Sequence, residues 1–450
     1  MVSRRTIGWR LMALALTAAT PLACRAAPTD LASLLNEALA NDPVFGSARF
    51  AVQASAEAEP QARAALLPNV QLQGSVNSTD YHFVTSNAQA LPGFVQTFSN
   101  WGPALQVALP LYRAQLWDSL SESKLSVRQS ELQFSQARED LIVRVAQAYF
   151  DVLASSDTLL AIQTNKQAIS EQLAQAQREF EVGTKTIVDT HEAKARYDQA
   201  VAQEQVALGD LIVKKSTLRQ IVGHDVEDLV PLRDAPQLVG PQPASVEAWA
   251  HSSEQNNFTV QAARAASEIA HRETKRARDA YRPTLDLSGS VQWQHSTGQV
   301  LLPFAYNATQ GSIGLIATVP LYTGDLLQSR IREARANESR SEQDLEAARR
   351  NAAQAARQAY TGTDYGLAQV HALESAETSA QTQLESTRLG YEVGVRINLD
   401  VLNANTQLFN TRRDLKKARY DFLVNGLRLK AASGTLEDRD VQAVNALLQR

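Results

Sequence analysis

One cysteine, Cys24, stands in 450 residues, beside two methionines and seven histidines. A disulfide framework needs pairs of cysteines, so none can form within the chain. No His-Glu-x-x-His, Gly-x-Ser-x-Gly or phosphate-cradling glycine loop occurs, so the common metalloprotease, hydrolase and nucleotide-binding readings have no local support. Aromatics make up 6% of the chain, and no run reaches the roughly 18 apolar residues of a spanning helix. Any segment that crosses a bilayer must then be β. Glycine and proline are also scarce where they matter: residues 113–180 and 325–360 contain neither.

Arg4, Arg5 and Arg10 precede a short apolar run, Leu11 to Ala23, and then small residues. This reads as an export signal over 1–26, cleaved after Ala26. Lipidation of Cys24 competes, because Leu22-Ala23-Cys24 partly resembles a lipobox, although Pro21 stands where leucine is usual. The formal net charge is −4, and residues 1–26 carry four arginines and no acid, so cleavage would leave −8. Nothing in that balance suggests nucleic acid.

The glycine-free stretches are rich in Ala, Gln, Leu, Glu and Arg, the composition of long helices. Residues 113–180 could extend roughly 100 Å at ~1.5 Å per residue. Leu120, Val127, Phe134, Leu141 and Ala148 recur every seven positions as a narrow apolar seam, which calls for neighbouring helices. Gly362 and Gly366 speak against one unbroken rod in the second such stretch.

The chain is internally duplicated. Phe180-Glu181-Val182-Gly183 with Asp189 recurs as Tyr391-Glu392-Val393-Gly394 with Asp400, 211 positions later. Leu67-Pro68 and Arg282-Pro283 open similar strands; Leu109-Pro110-Leu111-Tyr112 matches Val319-Pro320-Leu321-Tyr322. The first repeat is expected over 27–230, with a helix, strands near 68–82 and 101–112, a long helix near 113–180 and a helix near 187–222. A proline-rich linker, 231–244, leads to the second repeat over 245–432. Its strands are expected near 283–297 and 310–322, its helices near 323–390 and 398–431. A tail, 433–450, follows Gly434. Gly183 and Gly394 suit the left-handed residue just past a helix end, and Thr186 and Asn398 suit the N-caps that follow.

The four strands alternate apolar and polar residues, as in Val70, Leu72 and Val76 against Gln71, Gln73 and Ser75. That fits a transmembrane barrel with a wet lumen or a half-buried sheet in a soluble domain. An open edge is not tolerated in hydrocarbon, and known membrane barrels need about eight strands. If the strands span a membrane, several copies must share one barrel.

These motifs, in order and in duplicate, resemble the TolC family of outer-membrane channel-tunnel proteins, particularly its type I secretion branch. The likeness covers nearly all of the expected mature chain, including Ala418-Arg419-Tyr420. It implies an α+β membrane protein: a homotrimer with a twelve-stranded barrel, four strands per protomer, continued by a long α-helical barrel across the periplasm. The tail and linker would lie in an equatorial collar. The implied function is an outer-membrane exit duct, in contact with outer-membrane lipid, working with a periplasmic adaptor (membrane fusion protein) and an inner-membrane ABC or RND-type pump. Proteins, small toxic compounds or both would pass. No cofactor, metal or catalytic set is implied.

Carried over residue by residue, Tyr391 and Arg396 would bond towards Asp189 on a neighbouring helix, and Asp400 would form an acidic ring at a periplasmic gate. The family's second ring acid is Asn403 here. As the plainer alternative, Asp189 and Asp400 merely stabilise helix starts. His191 sits near one tip, and Tyr81, Trp101, Trp293 and Tyr306 could form an interfacial belt or pack in loops. The rival reading of the whole chain is a periplasmic adaptor with helical hairpins.

Overall fold

The structure, a computed structural model, describes residues 29–84, 93–184, 186–226, 228–300 and 304–449. The expected leader, with Cys24, lies outside them. The first half runs α1 (Leu31–Asn41), α2 (Pro43–Ala56), α3 (Ala58–Ala64), β1 (Asn69–Phe83), β2 (Phe94–Tyr112), α4 (Ala114–Glu181) and α5 (Ile187–Val222). The second runs α6 (Val246–Asn256), α7 (Phe258–Asp279), β3 (Thr284–Ser296), β4 (Tyr306–Thr318), α8 (Leu326–Glu392) and α9 (Asn398–Ala432), and α10 (Asp438–Asn445) follows.

All four strands form one antiparallel sheet in the order β1-β2-β3-β4. Its register carries side-chain chemistry straight across the strands. Leu72 pairs with Leu105 and Leu105 with Val291; Leu109 pairs with Leu287 and Leu287 with Leu315. On the opposite face, Gln71 pairs with Gln106, Gln106 with Ser290, and Ser290 with Ser312. Because side chains alternate along a strand, one face is an apolar wall and the other a wall of amides and hydroxyls. Leu72 and Ile313 on the apolar wall are 74% and 81% exposed in the single chain, so the wall lacks a protein cover within it.

Three strand limits differ from the sequence expectation: β4 begins at Tyr306 rather than near 310, since Tyr306 already pairs with Ser296. β2 begins at Phe94 rather than near 101, because Phe94–Asn100 continue the β1 ladder out to the Phe83–Phe94 pair. β4 ends at Thr318, which pairs with Thr284, the first residue of β3; beyond it, Pro320 has no N–H to donate. Gly102 is where β2 presses on β3: a Cβ there would sit 1.8 Å from the carbonyl oxygen of Trp293.

α4 (68 residues) and α8 (67 residues) are single helices of roughly 100 Å, each folding back on a shorter partner, α5 and α9. α8 passes unbroken through Gly362 and Gly366. The space a Cβ would fill faces Asn425 at 3.4 Å and Phe422 at 3.8 Å on α9, so the glycines serve close helix packing rather than a break. Among the described residues no helix is long and apolar enough to cross a membrane.

The main core lies midway, where α1, α4, α5, α9 and α10 converge. Phe150 of α4 stacks on Tyr420 of α9 at 5.5 Å, and Tyr149 donates to the Val230 carbonyl at 2.6 Å. The tail returns to the linker: Arg233 N–H donates to the Leu447 carbonyl and Gln449 N–H to the Pro231 carbonyl. Linker and tail together wrap this level of the molecule.

Candidate functional site: the two hairpin tips

The recurring motif forms the same turn twice. In the first hairpin Gly183 N–H donates to the Phe180 carbonyl and Thr184 N–H to the Glu179 carbonyl, both at 2.9 Å. In the second, Gly394 N–H donates to the Tyr391 carbonyl at 3.1 Å and Val395 N–H to the Gly390 carbonyl at 2.9 Å. This paired pattern satisfies the last helix carbonyls and needs a left-handed residue at its centre. Gly183 and Gly394 supply it, with φ of 75° and 81°.

The following helices start on an aspartate three residues in. Asp189 accepts from Thr186 N–H at 3.2 Å and from the Thr186 hydroxyl at 2.9 Å. Asp400 accepts from Ile397 N–H at 3.4 Å. The second N-cap is therefore Ile397, not Asn398. Asn398 is the first helical residue and is buried, its Oδ1 accepting from Gln172 Nε2 at 2.7 Å.

Further bonds tie the two hairpins together. The Tyr391 hydroxyl donates to Glu179 Oε2 at 2.7 Å, joining the end of α8 to the end of α4. Burial, then this bond to a carboxylate, raises the Tyr391 pKa above that of a free phenol. Arg196 of α5 donates to Asn403 Oδ1 of α9 at 3.3 Å, and Asn405 of α9 donates to Asn165 Oδ1 of α4 at 3.0 Å. Arg396 lies 3.7 Å from Asp400 on its own hairpin. Within one protomer, then, Tyr391 meets Glu179, Arg396 meets Asp400, and Asp189 serves Thr186. His191 is exposed on α5.

Sequence reasoning missed Glu179, Gln172 and Arg196. For Glu179 a signal existed: its repeat equivalent is Gly390, so the copies differ just ahead of the shared turn. Gly390 has its own use, since a Cβ there would come within 2.8 Å of the Arg396 side chain. The tips also expose apolar residues: Val182 is 74% and Val395 79% accessible. Such a cluster can hold two hairpins together and present a surface to another protein.

The family model described as outer membrane efflux protein matches residues 34–224 and 249–435, the two halves in turn. The chain is 31% identical to the outer membrane protein TolC of Vibrio cholerae serotype O1 over 93% of its own length and 94% of that protein's. It is 28% identical to the alkaline protease secretion protein AprF of Pseudomonas aeruginosa, covering 91% and 85%. Its fold superposes on the CmeC outer membrane channel of Campylobacter jejuni with a TM-score of 0.78 at 16% identity, covering 93% and 90% of the two chains.

Proposed function

We infer that this chain, which belongs to the outer membrane efflux protein family, is the exit duct of a tripartite export system. It is an outer-membrane channel protein with a large periplasmic helical part, and its α+β fold is that of the channel-tunnel proteins. Three copies would close one twelve-stranded barrel and continue it as one helical tunnel. The observation that carries this reading is the sheet: four strands, two outer edges without a strand partner among the described residues, and one continuous apolar face. In lipid both edges must find partners, and only other copies of the sheet offer the same height and polarity.

An inner-membrane pump of the ABC or RND type and a periplasmic adaptor would load the duct. The likeness to the alkaline protease secretion protein AprF favours polypeptide cargo by type I secretion; membership of an efflux family leaves room for small toxic compounds. The gate would be the hairpin tips, with Tyr391, Arg396, Asp189 and Asp400 holding it shut and Asn403 beside the acidic ring. The adaptor alternative lacks support: adaptors should flank one hairpin with separate β-domains, whereas here both halves feed strands into one sheet and each carries a hairpin.

The test is mass and conductance together. Detergent-extracted protein should run as a trimer and form discrete pores in planar bilayers, with conductance rising when the tip contacts are removed. A stable, detergent-free monomer would refute the duct.

A further inference from the structure

Inside one copy β2 meets β3, the last strand of the first repeat against the first strand of the second. The free edges, β4 and β1, are the corresponding strands: the last of the second repeat and the first of the first. Each residue of β3 answers to one 215 positions earlier in β1, as Leu287 to Leu72. Each residue of β2 answers to one 210 positions later in or just past β4, as Leu109 to Val319. The observed β2–β3 ladder can therefore be translated onto the edges. Leu109 faces Leu287, Val107 faces Gly289 and Leu105 faces Val291. Translated, Val319 faces Leu72, Ala317 faces Gly74 and Leu315 faces Val76.

Two observations support the translation. All of these positions have the parity of the apolar wall, so the wall would run on from copy to copy; a slip of one residue would set Val319 against Gln71 or Gln73. Moreover, Leu109–Tyr112 belong to β2 and are held by β3 as far as the Tyr112–Leu285 pair. The matching Val319–Tyr322 lie beyond the end of β4, with Leu321 91% and Tyr322 90% exposed. The segment is a strand where its neighbour is present and bare where the neighbour is missing.

The seam inside the copy is also locked by charge. Arg113 donates to both carboxylate oxygens of Asp286, each at 2.8 Å. In the adjoining helices Lys275 of α7 bonds the buried Asp118 of α4, and Arg276 lies 3.1 Å from Glu122. The first repeat has no charge at the matching places: Pro60 stands for Lys275, Gln61 for Arg276 and Gln71 for Asp286, while Thr323 stands for Arg113. Charges meant for a seam between copies would stand unpaired until the copies met, and a buried pair lacking one member is costly.

We propose that β4 of each copy adds to β1 of the next in this register, Val319 opposite Leu72, and that this seam closes without the ion pairs that lock the seam inside each copy. The partner is a second copy of this chain, and the proposal rests on the duct reading above. The rival is the same edge contact slipped by two residues, which would also keep the apolar wall.

Directly opposed residues of antiparallel strands have Cα atoms ~4.5–5.5 Å apart, within reach of a disulfide. Leu72→Cys with Val319→Cys, oxidised in intact outer membranes, should link copies into covalent dimers and trimers. Leu72→Cys with Ala317→Cys should not, although a ladder slipped by two would join them. Leu109→Cys with Leu287→Cys, opposed within one copy, should lose its thiols without gaining mass, and the unsubstituted chain with Cys24 alone is the blank. For the charges, Gln71→Asp with Thr323→Arg copies the Arg113–Asp286 clamp into the seam. The double variant should raise the temperature at which the detergent-solubilised trimer comes apart, and neither single substitution should. Wild-type trimers should come apart no earlier at ~1 M salt than at ~0.05 M, although screening shortens to ~3 Å. Native mass in detergent reports the trimer independently. Trimers in which Leu72→Cys links to Ala317→Cys, or to neither partner, would overturn the register. A salt-labile trimer, or a double variant no firmer than its singles, would overturn the uncharged seam. Each of these results leaves the duct intact, whereas absence of trimers would overturn the duct as well.

Discussion

The hydroxyl of Tyr391 and the carboxylate of Glu179 meet at 2.7 Å across 212 positions of sequence, fastening the tip of one hairpin to the other. A hydrogen bond to a charged group contributes ~1.5–3 kcal/mol net, and the link would recur in every copy. Tyr391→Phe removes only the hydroxyl, so single-channel recordings should show at least about tenfold more open events at rest. Glu179→Gln keeps an acceptor and should open the channel less. Unchanged open probability in Tyr391→Phe would detach this contact from gating.

Asp400 and Asn403 set the charge at the proposed constriction. Asn403 is neutral and already accepts from Arg196 at 3.3 Å. A trimer would then present one ring of three Asp400 carboxylates at that level. Asn403→Asp would add three charges and should tighten block by hexaamminecobalt about tenfold at low salt, with the gain shrinking as ionic strength rises. A variant blocked no more tightly than wild type would place Asn403 away from the ion path.

Much of this architecture was legible because its causes are local. A left-handed turn needs glycine, so Gly183 and Gly394 declare themselves. Period-two alternation placed all four strands, and scarcity of glycine and proline exposed α4 and most of α8. What stayed hidden depends on distant partners. Glu179 acquires its role only when α8 brings Tyr391 beside it. Phe94–Asn100 evaded the strand expectation because Phe94 and Phe98 stand on the face that is polar further down. Asn398 looked like a cap by residue type, but Gln172 on another helix draws it into the packing. Gly362 and Gly366 suggested a break until α9 supplied the neighbour that needs the room.

The glycines of the tips and of the tail should answer differently to substitution. A Cβ on Gly183 or Gly394 meets nothing within 4 Å, so only the positive φ resists it. Gly394→Ala should cost ~1 kcal/mol, and Gly394→Asn less, because asparagine tolerates this conformation. Gly434 also has positive φ (66°), but its Cβ would lie 2.3 Å from the Asn256 carbonyl oxygen. Gly434→Ala should therefore displace the tail and lower the melting temperature well beyond Gly394→Ala. Equal melting shifts for the two alanine variants would show that the Asn256 contact does not constrain the tail.

Glu139 provides a pH test of the equatorial core. It is 6% exposed, and burial raises its carboxyl from 4.5 to about 8; Leu436 N–H, donating at 3.3 Å, works against the shift and Asp140 with it. Between those values the folded chain holds a proton that the unfolded chain releases. Stability should thus fall as pH rises from about 4.5 to about 8, then level off. His224, whose pKa is raised by the Asp225 carbonyl and by Glu37, pulls in the same direction above pH 6.5. Its contribution is full below that value and lost as pH climbs through the raised one, so some slope should persist without Glu139. Glu139→Gln stays neutral throughout and keeps an oxygen for Leu436. Its melting temperature should match wild type near pH 5 and exceed it by several degrees at pH 8.5, since the charged form costs on the order of a few kcal/mol. Parallel melting curves for the two proteins from pH 5 to 8.5 would mean that Glu139 titrates normally and that water reaches it.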